Sequence, residues 1–256
     1  MRNLTVLYYT ANRIPEVFAE RVRKHLRSVV GGLPILSVSQ HPVDLGRNIC
    51  VGEIGFSLTN LYTQLLVGAE RVQTDFVVMA EDDVLYTEAH FAEYELEQDG
   101  LFHYDMNKWG AMAWRHTPRF TCSNRLVLNQ MVCHRDLLID TARERLKIDL
   151  SQCDPGDVFI EPGRYRKCCR GVRRHAKIFN SSGKPSVVIE HFYGLAGQGQ
   201  NVRKRMPPLR ADVLDGWGSV DDVLLNYLGA EEVSKQQRLA DELWALSQLK
   251  RSEKTV

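Results

Sequence analysis

Short apolar runs alternate along this chain with longer stretches whose apolar residues recur at helical spacing. Positions 4–10, Leu4-Thr5-Val6-Leu7-Tyr8-Tyr9-Thr10, are rich in β-branched and aromatic residues and predict a strand. A polar loop at 10–15 follows, with Pro15 suited to the first turn of a helix over 16–28, which Gly31-Gly32 stops. A second strand is predicted at 34–39, a polar loop at 43–52, and a long helix from about 53 to 72, with Ile54, Leu58, Leu61, Leu65, Ala69 and Val72 on its buried face. Phe76-Val77-Val78-Met79-Ala80 then reads as a strand buried on both faces.

This order predicts a β-α-β-α-β half of a doubly wound sheet. The remainder reads as a short acidic helix (88–98), strands (101–106, 109–114, 125–132), a helix (135–146), an irregular segment (151–177) and a last strand (186–190). From 218 onward the pattern is helical, with Val220, Leu224 and Leu228 marking one stretch and Leu239, Leu243 and Leu246 another. The expected class is α/β, a Rossmann-type mixed, mainly parallel sheet flanked by helices, with a helical C-terminal extension.

Bulk properties narrow the function classes only a little. A net charge of +1 over 256 residues gives no global bias toward nucleic acid or membrane. No apolar stretch approaches the ~20 residues that span a bilayer. Met1-Arg2-Asn3 leads straight into the first strand without an export signal, so the six cysteines read as mostly reduced thiols of a cytoplasmic protein. The one regional bias is a basic run over 164–177, including Arg164 and Arg166, which suits an anionic acceptor such as a nucleic-acid backbone or a solvated loop.

Chemistry gathers where strands end. Glu81-Asp82-Asp83 follows the third predicted strand, and three adjacent carboxylates call for a positive partner, such as a divalent cation with oxygen ligands. His191 follows the last strand in the same way. A carboxylate and an imidazole from two strands suit a Mn²⁺ or Mg²⁺ site shared with phosphate oxygens. Ligands of open α/β sheets sit beyond the strands' carboxyl ends, which brings in Thr10, Asn12 and Arg13 as donor-binding candidates. Arg47, before the long helix, is a further candidate for a phosphate or base. Arg203-Lys204-Arg205, after Gly194, Gly197 and Gly199, suits a loop that closes over a diphosphate. Trp114 is a candidate acceptor platform, and Asp157 or Glu161 a candidate base, with Glu161 favoured because Pro162-Gly163 fixes its direction.

These residues together resemble the GT-A-type nucleotide-sugar glycosyltransferases: a Rossmann-like first half, an acidic triad similar to a DxD motif, and a late histidine. The resemblance implies a transfer from a nucleoside-diphosphate donor, a UDP-sugar in the first instance, to a hydroxyl acceptor. It implies Asp83 and His191 as metal ligands and places Glu81 and Asp82 on the donor side. It divides the chain into a catalytic domain over 1–217, with a nucleotide-binding half over 1–86, and a helical extension over 218–256. The chain departs from the retaining members at Gly197, where they carry a lysine. Some phage proteins of this fold modify hydroxymethylated bases in DNA, an acceptor the basic run makes relevant. A nucleotidyltransferase of similar fold and a non-catalytic nucleic-acid-binding protein are the rival readings.

Overall fold

The computed structural model describes residues 3–114, 118–148, 161–163, 176–194 and 209–252. The first half follows the sequence pattern: β1 (Leu4–Thr10), α1 (Glu16–Val29), β2 (Ile35–Ser39), β3 (Arg47–Cys50), α2 (Leu58–Ala69) and β4 (Phe76–Ala80). After β5 (Val84–Leu85), α3 (Glu88–Ala92) and β6 (Phe102–Asp105) come β7 (Lys108–Met112) and β8 (Phe120–Cys122). A 3-10 turn (Leu128–Gln130) leads into β9 (Met131–His134) and α4 (Arg135–Leu146), and β10 (Ala176–Phe179) precedes β11 (Ser186–Glu190). Last come β12 (Leu209–Ala211), the pair β13 (Val213–Leu214) and β14 (Gly218–Ser219), α5 (Val220–Tyr227) and α6 (Ala230–Ser252).

The larger sheet has the order β10-β6-β9-β4-β1-β2-β3 and is parallel except where β9 runs against both neighbours. A second sheet, β12-β8-β7-β11-β5, is mainly antiparallel. The fold is thus α/β with a mixed, mainly parallel sheet flanked by helices. One face of the large sheet packs Leu7, Tyr9, Met79 and Tyr104 against Leu65 and Ala69 of α2 and Leu138 and Ala142 of α4. The other face packs Val6, Tyr8, Val78 and Ala80 against Leu26 and Val30. Helix α1 serves both sheets, because its Phe18, Ala19 and Val22 pack on Leu85, Ala111, Val187 and Ile189 of the second. Among the described residues no helix is long and apolar enough to cross a membrane.

Several predicted elements shift, each for a local reason. The 43–52 loop contains β3, whose Asn48 is held by the Ser37 and Ser39 hydroxyls, both accepting from its amide at 2.9 Å. Helix α2 starts at Leu58 rather than 53, because the Ser57 side chain caps it by accepting from Asn60 N–H, and Gly55 has φ of +85°, closed to a helix. The acidic helix ends at Ala92, and the 125–132 strand is a 3-10 turn followed by β9. Among the described side chains of α6 the buried positions are Gln236 and Ala240, while Leu246, placed on the apolar face by its spacing, is exposed.

Candidate active site

The ladder between β1 and β4 builds the centre of the site. Its register pairs Leu7 with Met79 and Tyr8 with Ala80. Continued past the strand end, it sets Tyr9 beside Glu81 and Thr10 beside Asp82. Side chains alternate along a strand, so Glu81 points to the α2/α4 face and Asp82 to the α1 face. Both meet hydroxyls of β1: Tyr9 OH donates to Glu81 Oε1, and Thr10 Oγ1 donates to Asp82 Oδ2. Thr10 is itself fixed, since its carbonyl accepts from Gln64 Nε2 at 2.7 Å and its hydroxyl accepts from Asn12 N–H at 2.9 Å.

Asn129 and Tyr86 complete the cradle. Asn129 Nδ2 donates to Glu81 Oε2 at 2.8 Å. Tyr86 OH accepts from Glu81 N–H at 3.1 Å and donates to Asn129 O at 2.9 Å. Burial and the neighbouring Asp83 charge push the Glu81 carboxyl up to about 8 and Asp82 up to about 6. The triad therefore resists carrying three negative charges at neutral pH unless positive charge joins it.

Asp83 lies where the chain leaves one sheet for the other. Its carbonyl accepts from Ile189 N–H at 2.8 Å, just before Val84 pairs with Val188. This crossing brings in His191, whose Nε2 is 3.3 Å from Asp83 Oδ2. That contact is close but lacks hydrogen-bond alignment: among the described residues, Asp83 Oδ1 and His191 Nε2 are both buried without a hydrogen-bond partner. His191 is clamped edge-on by Phe18 and flanked by Tyr193, at ring centroid distances of 5.9 and 5.6 Å. Its Nδ1 accepts from Tyr193 N–H at 3.1 Å. The unpartnered Asp83 oxygen, among carboxylates short of positive charge, fits a divalent cation with oxygen ligands. Among the described residues no three His, Cys, Asp or Glu side chains converge as a complete ligand set, so phosphate or water oxygens would have to supply the rest.

The other candidates divide clearly. Asn12, with φ of 53°, spends its side-chain oxygen on the N–H groups of Gln40 and His41, at 2.9 and 3.0 Å, tying the ends of β1 and β2 together. Arg13 is exposed at the same mouth, with its guanidinium 4.3 Å from the centre of the Phe56 ring. Arg47 is not brought to the site: it opens β3 opposite Leu36, while Cys50 pairs with Ser39 at the carboxyl edge. Three residues of strand separate it from that edge, about 10 Å. Trp114, expected to face an acceptor, is 4% exposed and packs with Met112, Phe192 and Ala240 beneath α6. Helix α6 is held there by Gln236, whose Oε1 accepts from Phe192 N–H at 2.9 Å. Glu161 precedes Gly163, whose N–H donates to Tyr104 OH at 3.0 Å. Asp157, Arg164, Arg166, Arg203 and Lys204 lie outside the described residues.

Tyr9, Tyr86 and Asn129 did not stand out from the sequence. The one available signal was Asn129-Gln130, two amides inside the apolar run from Leu126 to Val132.

The chain matches no family model and no curated protein. Among solved structures it is similar to a glycosyltransferase involved in the glycosylation of the major capsid of PBCV-1, at 9% identity over 72% of this chain and 92% of that one, with a TM-score of 0.41. It is also similar to the glycosyltransferase GlyE of Streptococcus pneumoniae TIGR4, at 16% identity over 62% of this chain and 40% of that one, with a TM-score of 0.38. S. aureus TarS 1–349 matches at 9% identity over 73% and 60%, with a TM-score of 0.38. The chain thus spans less than two thirds of the second and third of these. Likenesses this distant say nothing of activity, which has to be argued from the chain's own residues.

Proposed function

We propose that this protein is a glycosyltransferase that takes a sugar from a nucleoside diphosphate, with UDP as the first nucleotide to try, and passes it to a hydroxyl acceptor. The observation that carries the reading is the meeting of Asp83 and His191 from two sheets, each with a buried polar atom that has no partner among the described residues, beside two carboxyls of raised pKa. A site with this deficit of positive charge is suited to a cation-bound diphosphate. Asp83 would hold the cation, Mn²⁺ or Mg²⁺, which when bound neutralises charge developing on the diphosphate leaving group.

The chain's own residues do the rest. Thr10 orients Asp82, and Tyr9 and Asn129 orient Glu81, so that two acids stand at the donor end of the site in fixed directions. Arg13, over Phe56, offers a cation and a flat surface to the nucleotide at the carboxyl end of β1. In the transfer, an acceptor oxygen bonds to the anomeric carbon, the bond from that carbon to the diphosphate oxygen breaks, and the hydroxyl proton passes to a base. Glu161 is the base in this reading. The basic run over 164–177 makes a nucleic acid carrying hydroxymethylated bases the first acceptor to test.

Calorimetry with UDP, with and without Mn²⁺, tests the proposal. Binding should need the cation and should vanish in Asp83→Ala. Failure of every nucleoside diphosphate to bind in the presence of Mn²⁺ would sink it. Release of pyrophosphate in place of a nucleoside diphosphate would identify a nucleotidyltransferase.

A further inference from the structure

His191 has a hydrogen-bond pattern that bears on what it does beside Asp83. Its Nδ1 accepts the backbone N–H of Tyr193 at 3.1 Å, so Nδ1 carries no hydrogen. The ring proton is therefore on Nε2, the nitrogen 3.3 Å from Asp83 Oδ2. Two aromatic rings flank His191. Phe18 stands edge-on at 5.9 Å and 86°, and Tyr193 lies at 5.6 Å. A histidine that ligates a metal through Nε2 instead carries its proton on Nδ1 and donates it to a carbonyl or carboxylate. In this protein a donor occupies that place.

We infer that His191 serves the site as a hydrogen-bond donor through Nε2–H and not as a nitrogen ligand to the cation. Asp83 takes the cation on the carboxylate, and His191 gives its Nε2 hydrogen to an anionic oxygen bound beside it, of the phosphate class. This rests on the reading of the site as one for a cation-bound nucleoside diphosphate, and it changes the ligand set expected from the sequence. It also accounts for two atoms of opposite character that are buried without a hydrogen-bond partner among the described residues, the acceptor Oδ1 of Asp83 and the donor Nε2 of His191. A cation alone would satisfy the first and leave the second facing positive charge.

Two measurements on the wild-type protein test this, together with one variant. In the Mn²⁺–UDP complex, electron spin-echo modulation should show no directly coordinated ¹⁴N, and a coordinated nitrogen would overturn the inference. In the cation-free protein, long-range ¹H–¹⁵N correlation of the histidine rings should place the His191 proton on Nε2. A proton on Nδ1 would overturn it. In His191→Ala, the Mn²⁺ dissociation constant without nucleotide should stay within about twofold, because no ligand is lost, while UDP affinity with Mn²⁺ present should fall about tenfold. A Mn²⁺ dissociation constant raised about tenfold or more would mark the ring as a ligand and overturn the inference. If neither Mn²⁺ nor UDP binds the wild type, the transferase reading falls and the donor role falls with it, while the ring spectrum still reads the tautomer.

Discussion

The backbone N–H of Ile189 donates to the carbonyl of Asp83 across 2.8 Å. That one bond joins the turn after β4 to the last residues of β11, so the acid and His191 are set by two sheets at once. Neither sheet alone would fix their separation. The connection also explains why the acids stop at Asp83: Val84 and Leu85 turn at once into a ladder with Val188 and Val187, where a further charge would be buried without a partner.

Asp83→Asn separates binding from stability. Asp83's charge is a leading cause, after burial, of the raised Glu81 and Asp82 pKa values. Removing it should stabilise the cation-free protein by about 1 kcal/mol in urea denaturation, as expected where a site is built for a ligand at the expense of the empty fold. The same variant should lose Mn²⁺-dependent UDP binding in calorimetry. A less stable variant that still binds UDP with Mn²⁺ would contradict both halves.

Asn129 offers a sharper comparison, because its amide is a donor to Glu81 Oε2 at 2.8 Å. Asn129→Ala leaves that oxygen without its donor and should cost about 1–3 kcal/mol. Asn129→Asp should cost more, since it sets a fourth carboxylate against three. The order of urea midpoints should be wild type, Ala, Asp, and an Asp variant as stable as Ala would mean that Glu81 is held by Tyr9 alone.

What could be read from the sequence divides along a physical line. The strand–helix–strand order, the acids and His191 were legible because each leaves a local mark: an apolar run, then a polar break at a strand end. Thr10 was legible for the same reason. Tyr9 and Tyr86 were not, because a tyrosine in an apolar run looks like core until its hydroxyl is seen to meet a polar partner, the Glu81 carboxyl for Tyr9 and the Glu81 backbone N–H for Tyr86. Arg47 opens a four-residue polar strand, RNIC, that reads as loop because it has no apolar pattern, and whose ladder with β2 is joined by an Asn48 side-chain bond to Ser37. Trp114 was misread because nothing near it in sequence announces that α6, more than a hundred residues later, covers it.

His90 gives the fold an acid-sensitive contribution to stability. His90 is fully buried, with Nδ1 3.0 Å from Asp105 Oδ2, and burial lowers its pKa below the usual histidine value. A depressed histidine contributes stability that is complete above its unfolded pKa, about 6.5, and is lost as pH falls toward the folded value. Burial pushes Asp105 up, yet hydrogen bonds from His90 and Ser181 outweigh it and hold the carboxyl low. Its contribution is lost in the same direction, at lower pH. Glu81 and Asp82 act in the opposite sense, since their raised pKa values favour the fold as they take up protons, so the His90 contribution is read by difference. The urea midpoint of His90→Gln should gain on that of the wild type as pH falls from 7.5 to 5.5, and a gap that does not change with pH would assign the acid sensitivity to other groups, His25 first, whose pKa burial also lowers.

Gly163 and Glu161 together test the assignment of the base. Its N–H donates to Tyr104 OH at 3.0 Å, and a Cβ there would lie 2.7 Å from Tyr104 Cε2 and 2.9 Å from its hydroxyl. Gly163→Ala must therefore push the turn off the ring, at a cost of about 1–3 kcal/mol, and move Glu161 with it. Glu161→Gln keeps the turn and the side-chain shape. If Glu161 takes the acceptor's proton, Glu161→Gln should lower kcat by about 10²–10⁴ with UDP affinity unchanged. Gly163→Ala should then lose turnover as well. A Gly163→Ala protein that is inactive beside an active Glu161→Gln would show that the turn matters for its shape, and that the proton leaves by another group.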